Sequence, residues 1–495
     1  MKSGIKIICI IFIETIIVLF PCFSQYEISI SMKTKNDTVI LGHIFAKEQS
    51  MYADTIIVLQ NGKGVFKSNR VLPKGLYFIY NDKRKLFDIL IGDNQKFGIE
   101  ADTTDFLNRT RFISSPDNDA FYEFFRYEVP HSAKIRQLEE QHKKAADDAE
   151  KKAISEQWQT LSKERMAFIK KIISENEELY VSKFLKAMFV QLELPEPPRD
   201  DQGRITDSTY VYWWYRNHFF DNFNIYDPDM LRTPLYEKKL LEYLDWFTRN
   251  HLVMYPVDTV CAELDRMLTK AKPVKAVFQC VLATMFNHFT KSELMVRENI
   301  WVHLVDKWYV PYADWANVDE LKKAADKVRS TLIGKVAPPL DQLLVLPPGH
   351  FKAAALDTAI KNDIHAGTII PDFRKNIQSK YLAILFWDIN CGHCKTTMQE
   401  MWDVFEAHKS KGLQVITVQV LQSKEGKAKW IDFINEHGMY DWINAWIIYD
   451  NKWHDLYEAS VVPIMYFLNE KKEIIFKRVQ PDQIKSVMET IHAEK

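Results

Sequence analysis

The chain has few of the residues that mark fibrous, disordered or disulfide-stapled proteins. Its 495 residues include only 15 glycines, 19 prolines and 6 cysteines, whereas 47% are hydrophobic and 26% are charged. This composition excludes collagen-like and low-complexity classes and argues against long disordered regions. The net charge is −1 and no basic tract with interleaved aromatic residues occurs, so we predict no nucleic-acid partner. A chain of this length exceeds one hydrophobic core, and two or three domains are expected.

Long apolar runs are also scarce, and the one candidate lies at the N-terminus. A positively charged start precedes residues 7–20, which are almost uninterruptedly apolar. We interpret residues 1–24 as a signal peptide cleaved after Ser24, which predicts export to the periplasm or cell envelope. Lipid attachment at Cys22 is a less favoured alternative, because Pro21 precedes it where a small residue is expected. An uncleaved membrane anchor is a third interpretation, since the run approaches the roughly 18 residues that a spanning helix needs.

Cysteines are too few for a disulfide scaffold in a chain of this size. Outside the predicted signal peptide, four cysteines remain: Cys261, Cys280, Cys391 and Cys394. The last two form a Cys-x-x-Cys pair, and so short a loop would stabilise the fold little, which favours a redox role in an exported protein. The alternative is half of a zinc site, but the sequence contains no second Cys-x-x-Cys pair.

The pattern of apolar and polar residues changes twice along the chain, which predicts a multidomain fold. Residues 25–115 alternate apolar and polar residues between turn signals such as Asn61-Gly62, which predicts an N-terminal β-sandwich. Residues 116–332 carry apolar residues at helical spacing in polar sequence, which predicts an all-α middle domain. A proline-bearing linker at 333–339 opens the third region, 333–495.

The third region has the pattern of an α/β thioredoxin-like domain. The apolar run 381–387 is typical of a buried parallel strand. The predicted elements that follow are a helix at 395–408, a strand at 413–420, a helix at 427–437, a hairpin of 462–468 with 473–478, and a helix at 481–493. This order of strands and helices is the thioredoxin order.

The position of the Cys-x-x-Cys pair predicts its chemistry. Cys391 directly follows a predicted buried strand and opens the next helix. The free N–H groups and positive dipole end of a helix stabilise a thiolate, so Cys391 is the expected nucleophile. Cys394, one turn further along, is expected to resolve the mixed disulfide. His393, between them, is expected to favour the thiolate further, or else to be a solvated residue with no tuning role.

The segment 386–395, Phe-Trp-Asp-Ile-Asn-Cys-Gly-His-Cys-Lys, resembles the active-site segment of thioredoxin-like proteins of the TlpA and ResA type. The resemblance covers about residues 333–495 and implies a cis-proline facing the disulfide, which corresponds to Pro463. The whole arrangement is similar to that of multidomain TlpA-like envelope proteins, commonly reductants fed by a membrane-bound partner. Two departures stand out: Gln399 replaces a frequent helix-kinking proline, and Asp388 lies in the lead-in to the pair. Asp388 is either a solvated loop carboxylate or, if close to Cys391, a charge that raises the pKa of that thiol.

We therefore predict an enzyme that exchanges disulfides with protein thiol or disulfide substrates, without a cofactor. A different hypothesis is a redox-passive binding or scaffold protein, because most of the chain lies outside the redox region. A peroxidase is less favoured, since Asp388 occupies the position where a peroxidatic site has threonine. For Cys261 and Cys280, three predictions remain open: a structural disulfide, a second redox couple, or two buried inert thiols. His393 favours an oxidase or isomerase, whereas the family resemblance implies a reductant, so both directions of exchange stay open.

Overall fold

The computed structural model describes residues 25–34, 36–81, 84–249, 257–292, 296–340, 343–346, 361–363, 367–447, 453–459 and 461–493. The predicted signal peptide, 1–24, therefore lies outside the described residues. The chain divides into two compact units, one of residues 1–250 and 271–280 and the other of 251–270 and 281–495. Within the described residues, no helix is both long and apolar enough to span a bilayer.

The first unit begins with two four-stranded sheets. The strands are β1 (Tyr26–Met32), β2 (Thr38–Phe45), β3 (Lys47–Val58), β4 (Lys63–Ser68), β5 (Gly75–Asn81), β6 (Arg84–Ile91), β7 (Lys96–Ala101) and β8 (Arg111–Ile113). The sheets have the orders β4-β1-β7-β8 and β3-β2-β5-β6. Buried and exposed residues alternate strictly along the first part of β1, and buried side chains of both sheets form one cluster that includes Ile28, Phe66 and Ile79.

Helices dominate the rest of the first unit and the start of the second. They are α1 (Phe106–Arg109), α2 (Pro116–Lys144), α3 (Asp148–Glu175), α4 (Tyr180–Phe189), α5 (Tyr210–His218), α6 (Tyr236–Arg249), α7 (Val257–Ala271), α8 (Lys275–Lys291), α9 (Arg297–Leu304), α10 (Val310–Tyr312) and α11 (Val318–Arg329). A π-helical turn, Val305–Tyr309, joins α9 to α10. The aromatic segment at 210–223 packs on α6, as in the stacked rings of Tyr212 and Trp246, whose centroids are 5.2 Å apart.

A seven-stranded mixed sheet forms the core of the second unit. Its strands are β9 (Leu343–Leu346), β10 (Thr368–Ile370), β11 (Tyr381–Trp387), β12 (Leu413–Gln419), β13 (Ile443–Trp446), β14 (Ile464–Leu468) and β15 (Ile474–Lys477). Its order is β10-β9-β13-β12-β11-β14-β15, with β11, β12 and β13 mutually parallel and β14 antiparallel to β11. Its helices are α12 (Phe373–Asn376), α13 (Gly392–His408), α14 (Lys424–Glu436), α15 (Trp453–Leu456) and α16 (Pro481–Ala493). This is a thioredoxin-like fold.

Several element boundaries differ from the sequence-based ones for local reasons. Helix α13 begins at Gly392 rather than Lys395, because Cys391 itself caps it. Helix α14 begins at Lys424 rather than Lys427, since the Ser423 hydroxyl accepts the Gly426 N–H. The hairpin strand begins at Ile464, after Pro463, which has no N–H to donate to the sheet.

Candidate functional site

The strand β11 and the helix α13 bring the cysteine pair to one end of the sheet. All seven residues of β11 are buried, and Trp387 at its end accepts a backbone hydrogen bond from Val420 at 3.0 Å. The chain then turns through 388–391, closed by the Cys391 N–H donating to the Asp388 carbonyl at 3.0 Å. Cys391 thus sits at the N-cap of α13, at the carboxyl ends of the parallel strands.

The two cysteines have different surroundings. The Cys391 side chain is half-buried, and its Sγ accepts a hydrogen bond from the Cys394 backbone N–H at 3.2 Å. Cys394 is fully buried on the first turn of the helix. Both are free thiols in the structure. The outer sulfur is therefore open to attack a substrate and receives a helix N-terminal hydrogen bond, whereas the inner sulfur is protected from solvent.

The inner thiol is held in its protonated form. Burial, chiefly, raises the pKa of Cys394 to about 12; the Cys391 sulfur and the Asp388 carboxylate contribute, while a backbone hydrogen bond from Asp388 opposes the shift. Asp388 also accepts the Asn390 N–H at 2.8 Å, which stabilises the turn before Cys391.

His393 and Gly392 face outward between the cysteines. Both are exposed, and the His393 carbonyl accepts the Thr397 hydroxyl at 3.1 Å. An added methyl group at Gly392 would meet no heavy atom within 4 Å. The helix continues unbroken past the exposed Gln399. The tuning role of His393 stays a prediction.

Pro463 lies at the same end of the sheet as the cysteines. The Val462–Pro463 peptide bond is cis. Strand β14 pairs with β11 so that Ile464 is opposite Phe386, and this register places Pro463 beside the end of β11. Val462 and Cys391 both pack against the same buried cluster. The structure thus brings together the four residues that the sequence singled out, Cys391, His393, Cys394 and Pro463.

Sequence reasoning missed a charged cluster beside this proline, here called the Glu298 cluster: Glu298, Glu458, Lys477 and Arg478. Arg478 donates from Nη1 to Glu298 Oε1 at 2.7 Å and from Nη2 to Glu458 Oε2. Lys477 pairs with Glu458 Oε1 at 3.0 Å and also with Glu298. The sequence marked this cluster only by two adjacent cations, Lys477 and Arg478, at the end of a predicted strand. Side chains alternate between the two faces of a strand, so one of two adjacent side chains points inward.

The other two cysteines do not form a disulfide in the structure. Cys261 is buried in α7, and burial raises its pKa to about 12. Cys280 is half-buried in α8. In the described part of the chain, no group of three or more histidine, cysteine, aspartate or glutamate side chains is arranged to hold a metal ion.

Comparisons with known proteins give partial matches. A family model described as "Domain of unknown function (DUF5106)" matches residues 140–335, which is less than half of the chain. Over 98 residues, the chain is 26% identical to sporulation thiol-disulfide oxidoreductase A of Bacillus subtilis, a match that covers 19% of this chain and 57% of that protein. The chain therefore spans little more than half the length of this relative.

Solved structures also resemble parts of the chain. A thioredoxin-like protein from Bacteroides caccae has a TM-score of 0.40 at 16% identity, with 61% of this chain and 99% of that chain covered. The thioredoxin domain of a thiol-disulfide oxidoreductase from Bacteroides vulgatus has a TM-score of 0.26 at 19% identity, with 32% and 96% covered.

Proposed function

We propose that this chain is a thiol-disulfide oxidoreductase of the bacterial cell envelope that exchanges disulfides with other proteins through Cys391 and Cys394. One observation carries the proposal: a half-buried sulfur caps a helix and accepts the N–H of a second, fully buried cysteine. This arrangement supplies an accessible nucleophile and a protected resolving thiol on one rigid turn. The likeness to a named thiol-disulfide oxidoreductase of Bacillus subtilis supports the same chemistry.

The exchange has two steps. The Cys391 thiolate attacks one sulfur of the substrate disulfide, the substrate S–S bond breaks, and the departing thiolate takes up a proton. Cys394 then loses its proton and attacks Cys391 Sγ, which releases the second substrate thiolate and leaves a Cys391–Cys394 disulfide. Two electrons have moved from the dithiol to the substrate. The same steps in reverse oxidise a substrate dithiol.

Because the pKa of Cys394 is raised, this thiol keeps its proton during the first step and loses it in the second. A thiol with a pKa of about 12 is almost fully protonated at neutral pH, so it cannot compete with Cys391 for the substrate. Its proton leaves as the mixed disulfide resolves, and the departing substrate thiolate takes up a proton in the same step. The buried thiol thus keeps the order of the two attacks fixed.

Pro463 is proposed to dock the substrate. A backbone segment at the end of β14, beside the nucleophile, offers an extended substrate strand hydrogen-bond partners in the manner of strand addition. We also propose that the chain is of the multidomain TlpA and ResA type. Its proposed domains are a β-sandwich at 25–115, a helical domain at 116–332 and a C-terminal thioredoxin-like domain at 333–495.

Location and partners are proposed from the sequence. Export by residues 1–24 would place the protein in the periplasm or envelope, where a membrane-bound redox partner would regenerate the pair. Protein thiols and disulfides are the proposed substrates.

Mixed-disulfide trapping tests the proposal. With Cys394→Ser, the first step proceeds and the second cannot, so envelope proteins or a model protein disulfide should accumulate in covalent complexes cleaved by dithiothreitol. With Cys391→Ser, no complexes should form. Equal trapping by both variants, or by neither, would overturn the assignment of roles. A scaffold whose thioredoxin-like part is passive would keep its partners in both variants.

A further inference from the structure

The Glu298 cluster joins three separate parts of the second unit. Glu298 lies on α9, in the helical region, while Lys477 is the last residue of strand β15 and Arg478 follows it. Glu458 lies five residues before Pro463 and has a left-handed backbone with φ +50°. Its Oε1 also accepts a hydrogen bond from the Thr331 hydroxyl. The cluster therefore ties a helix outside the thioredoxin-like elements to the turn that precedes the cis-proline.

Disruption of these ion pairs should strongly lower the stability of the fold, because three of the four side chains are buried. The side chains of Lys477, Glu298 and Glu458 are 4%, 8% and 10% exposed, against 41% for Arg478. Burial acts to raise the pKa of Glu298, but Lys477 and Arg478 outweigh it, so the pKa lies below its ordinary value. Two carboxylates and two cations balance one another, and loss of one member leaves an uncompensated buried charge.

Arg478 connects the cluster to the segment that carries Pro463. Its backbone N–H donates to the Met465 carbonyl at 2.7 Å, two residues beyond the proline. Its own backbone is left-handed, with φ +56°. Since its guanidinium also holds Glu458, Arg478 fixes the proline segment from both sides. A cavity of about 230 Å³ beside the proline is lined by Glu458, Pro463, Met465 and Arg478, among others.

We propose that Glu298 is a positioning residue for substrate docking: through Arg478, it holds the Pro463 segment in the shape that a substrate strand meets. This inference rests on the function proposed above. The ion pairs of the cluster join α9, the turn at Glu458 and the end of β15, whereas the cysteines lie on α13. Loss of Glu298 is therefore expected to weaken docking of a protein substrate and to leave the chemistry of the cysteine pair unchanged.

The test compares a large and a small substrate in Glu298→Gln of the chain 25–495. With insulin as the protein disulfide, kcat/KM should fall about tenfold, equivalent to about 1.4 kcal/mol, mainly through a higher KM. The second-order rate with glutathione disulfide, which is too small to extend along the proline segment, should stay within about twofold of wild type, as should the glutathione redox equilibrium. Glu406→Gln removes an exposed carboxylate paired with Lys409 at 2.8 Å and should match wild type throughout.

If Glu298→Gln folds poorly, Arg478→Lys alone still tests the inference; if it folds, the double variant also tests whether both residues act through one contact. Arg478→Lys keeps the positive charge but cannot donate to Glu298 and Glu458 from a planar guanidinium. It should therefore lower kcat/KM for insulin and leave the rate with glutathione disulfide unchanged. The double variant Glu298→Gln/Arg478→Lys should lose no more than either single variant, because both act through one contact. An unchanged KM for insulin, or equal losses with both substrates, would overturn the inference. If the wild-type chain exchanges neither disulfide, the proposed function itself fails.

Discussion

Cys391 and Cys261 are both free thiols on helices of this chain, yet their positions differ in a way that decides their chemistry. Cys391 is the N-cap of α13, half-buried, with a backbone N–H directed at its sulfur. Cys261 lies in the second turn of α7 and is buried, and burial raises its pKa to about 12. A helix stabilises a thiolate at its N-terminus and protects a thiol in its interior.

Cys394 combines features of both. It is on the same helix as Cys391, three residues on, yet it is as buried as Cys261 and its pKa is likewise raised to about 12. Reactivity in this protein should therefore follow the position of a cysteine in its helix and its exposure, and not the presence of a thiol as such.

Replacing the nucleophile should have the largest effect. Cys391→Ser should lower the rate of glutathione-disulfide exchange on the order of 10³-fold or more, because a hydroxyl does not attack a disulfide. Cys261→Ala should stay within about twofold of wild type, since a buried protonated thiol takes no part. Stopped-flow or steady-state rates of glutathione release measure both. Comparable losses of rate in the two variants would show that helix position and burial do not decide which cysteine reacts.

Alkylation should separate the thiols in the native protein. At pH 8, iodoacetamide should modify Cys391 at least about 100-fold faster than Cys394 or Cys261, which react only when the structure opens. Peptide mass spectrometry after timed quenching gives the three rates. The same reaction in concentrated urea is the control, and there the differences should nearly vanish. Fast labelling of Cys261 in the native protein would contradict the account.

Alkaline pH should destabilise the protein through the buried thiols. The folded pKa values of Cys261 and Cys394 are raised to about 12, above the ordinary value of about 8.5 in an unfolded chain. The contribution of each protonated thiol is fully present below about pH 8.5 and is lost as pH rises towards 12. The urea midpoint should therefore fall between pH 8 and 11, and less so in Cys261→Ala. An identical pH dependence in that variant would exclude Cys261 as a source.

His393→Ala should have a modest effect on the redox equilibrium. The side chain is exposed, so water screens whatever support the imidazole gives to the thiolate. We expect the potential of the pair to become more reducing by no more than about 30 mV, or about 1.4 kcal/mol. Glutathione titration with thiol trapping measures the shift. A change beyond about 60 mV, or one of opposite sign, would show that the histidine acts otherwise.

Gly392→Ala should have the smallest effect and a favourable sign. Space around this helical position is open, so alanine should raise the free energy of unfolding by about 0.5 kcal/mol through helix propensity. Gly412→Ala is the matched opposite, because φ is +90° and the added Cβ would lie 2.8 Å from Lys380 Cβ. That variant should lose about 1 kcal/mol or more. Urea unfolding distinguishes the signs, and destabilisation by Gly392→Ala would contradict the open geometry.

The sequence indicated the parts of the site that depend on neighbouring residues. The apolar run 381–387 marked the strand, and the Cys-x-x-Cys pair directly after it marked the helix start, because both features are local. The boundary errors at α13 and α14 were a few residues long and arose from side-chain caps. The cis bond before Pro463 came from family resemblance, since nothing local in Val462-Pro463 distinguishes cis from trans.

Features that depend on contacts between residues far apart in the chain could not be predicted from the sequence. The strand β13 (Ile443–Trp446) has four residues with no alternation to mark it, and it forms only because β12 and β9 pair with it on either side. The Glu298 cluster joins residues 180 positions apart, so its charges looked like ordinary surface residues. Only the fold shows that Lys477 and Glu298 are buried and paired.

The redox equilibrium of the purified chain 25–495 shows directly whether Cys391 and Cys394 form a redox couple. The protein is equilibrated with glutathione buffers of graded poise, and its thiols are counted by mass-tag alkylation alongside Cys391→Ser. We expect a two-electron couple between Cys391 and Cys394 that disappears in the variant, with Cys261 remaining reduced. A potential of about −120 to −180 mV would identify an oxidant or isomerase, and one of about −270 mV or lower a reductant. If Cys391 and Cys394 form no disulfide at any poise, the chain is not an oxidoreductase of this kind, and a redox-passive binding protein is favoured.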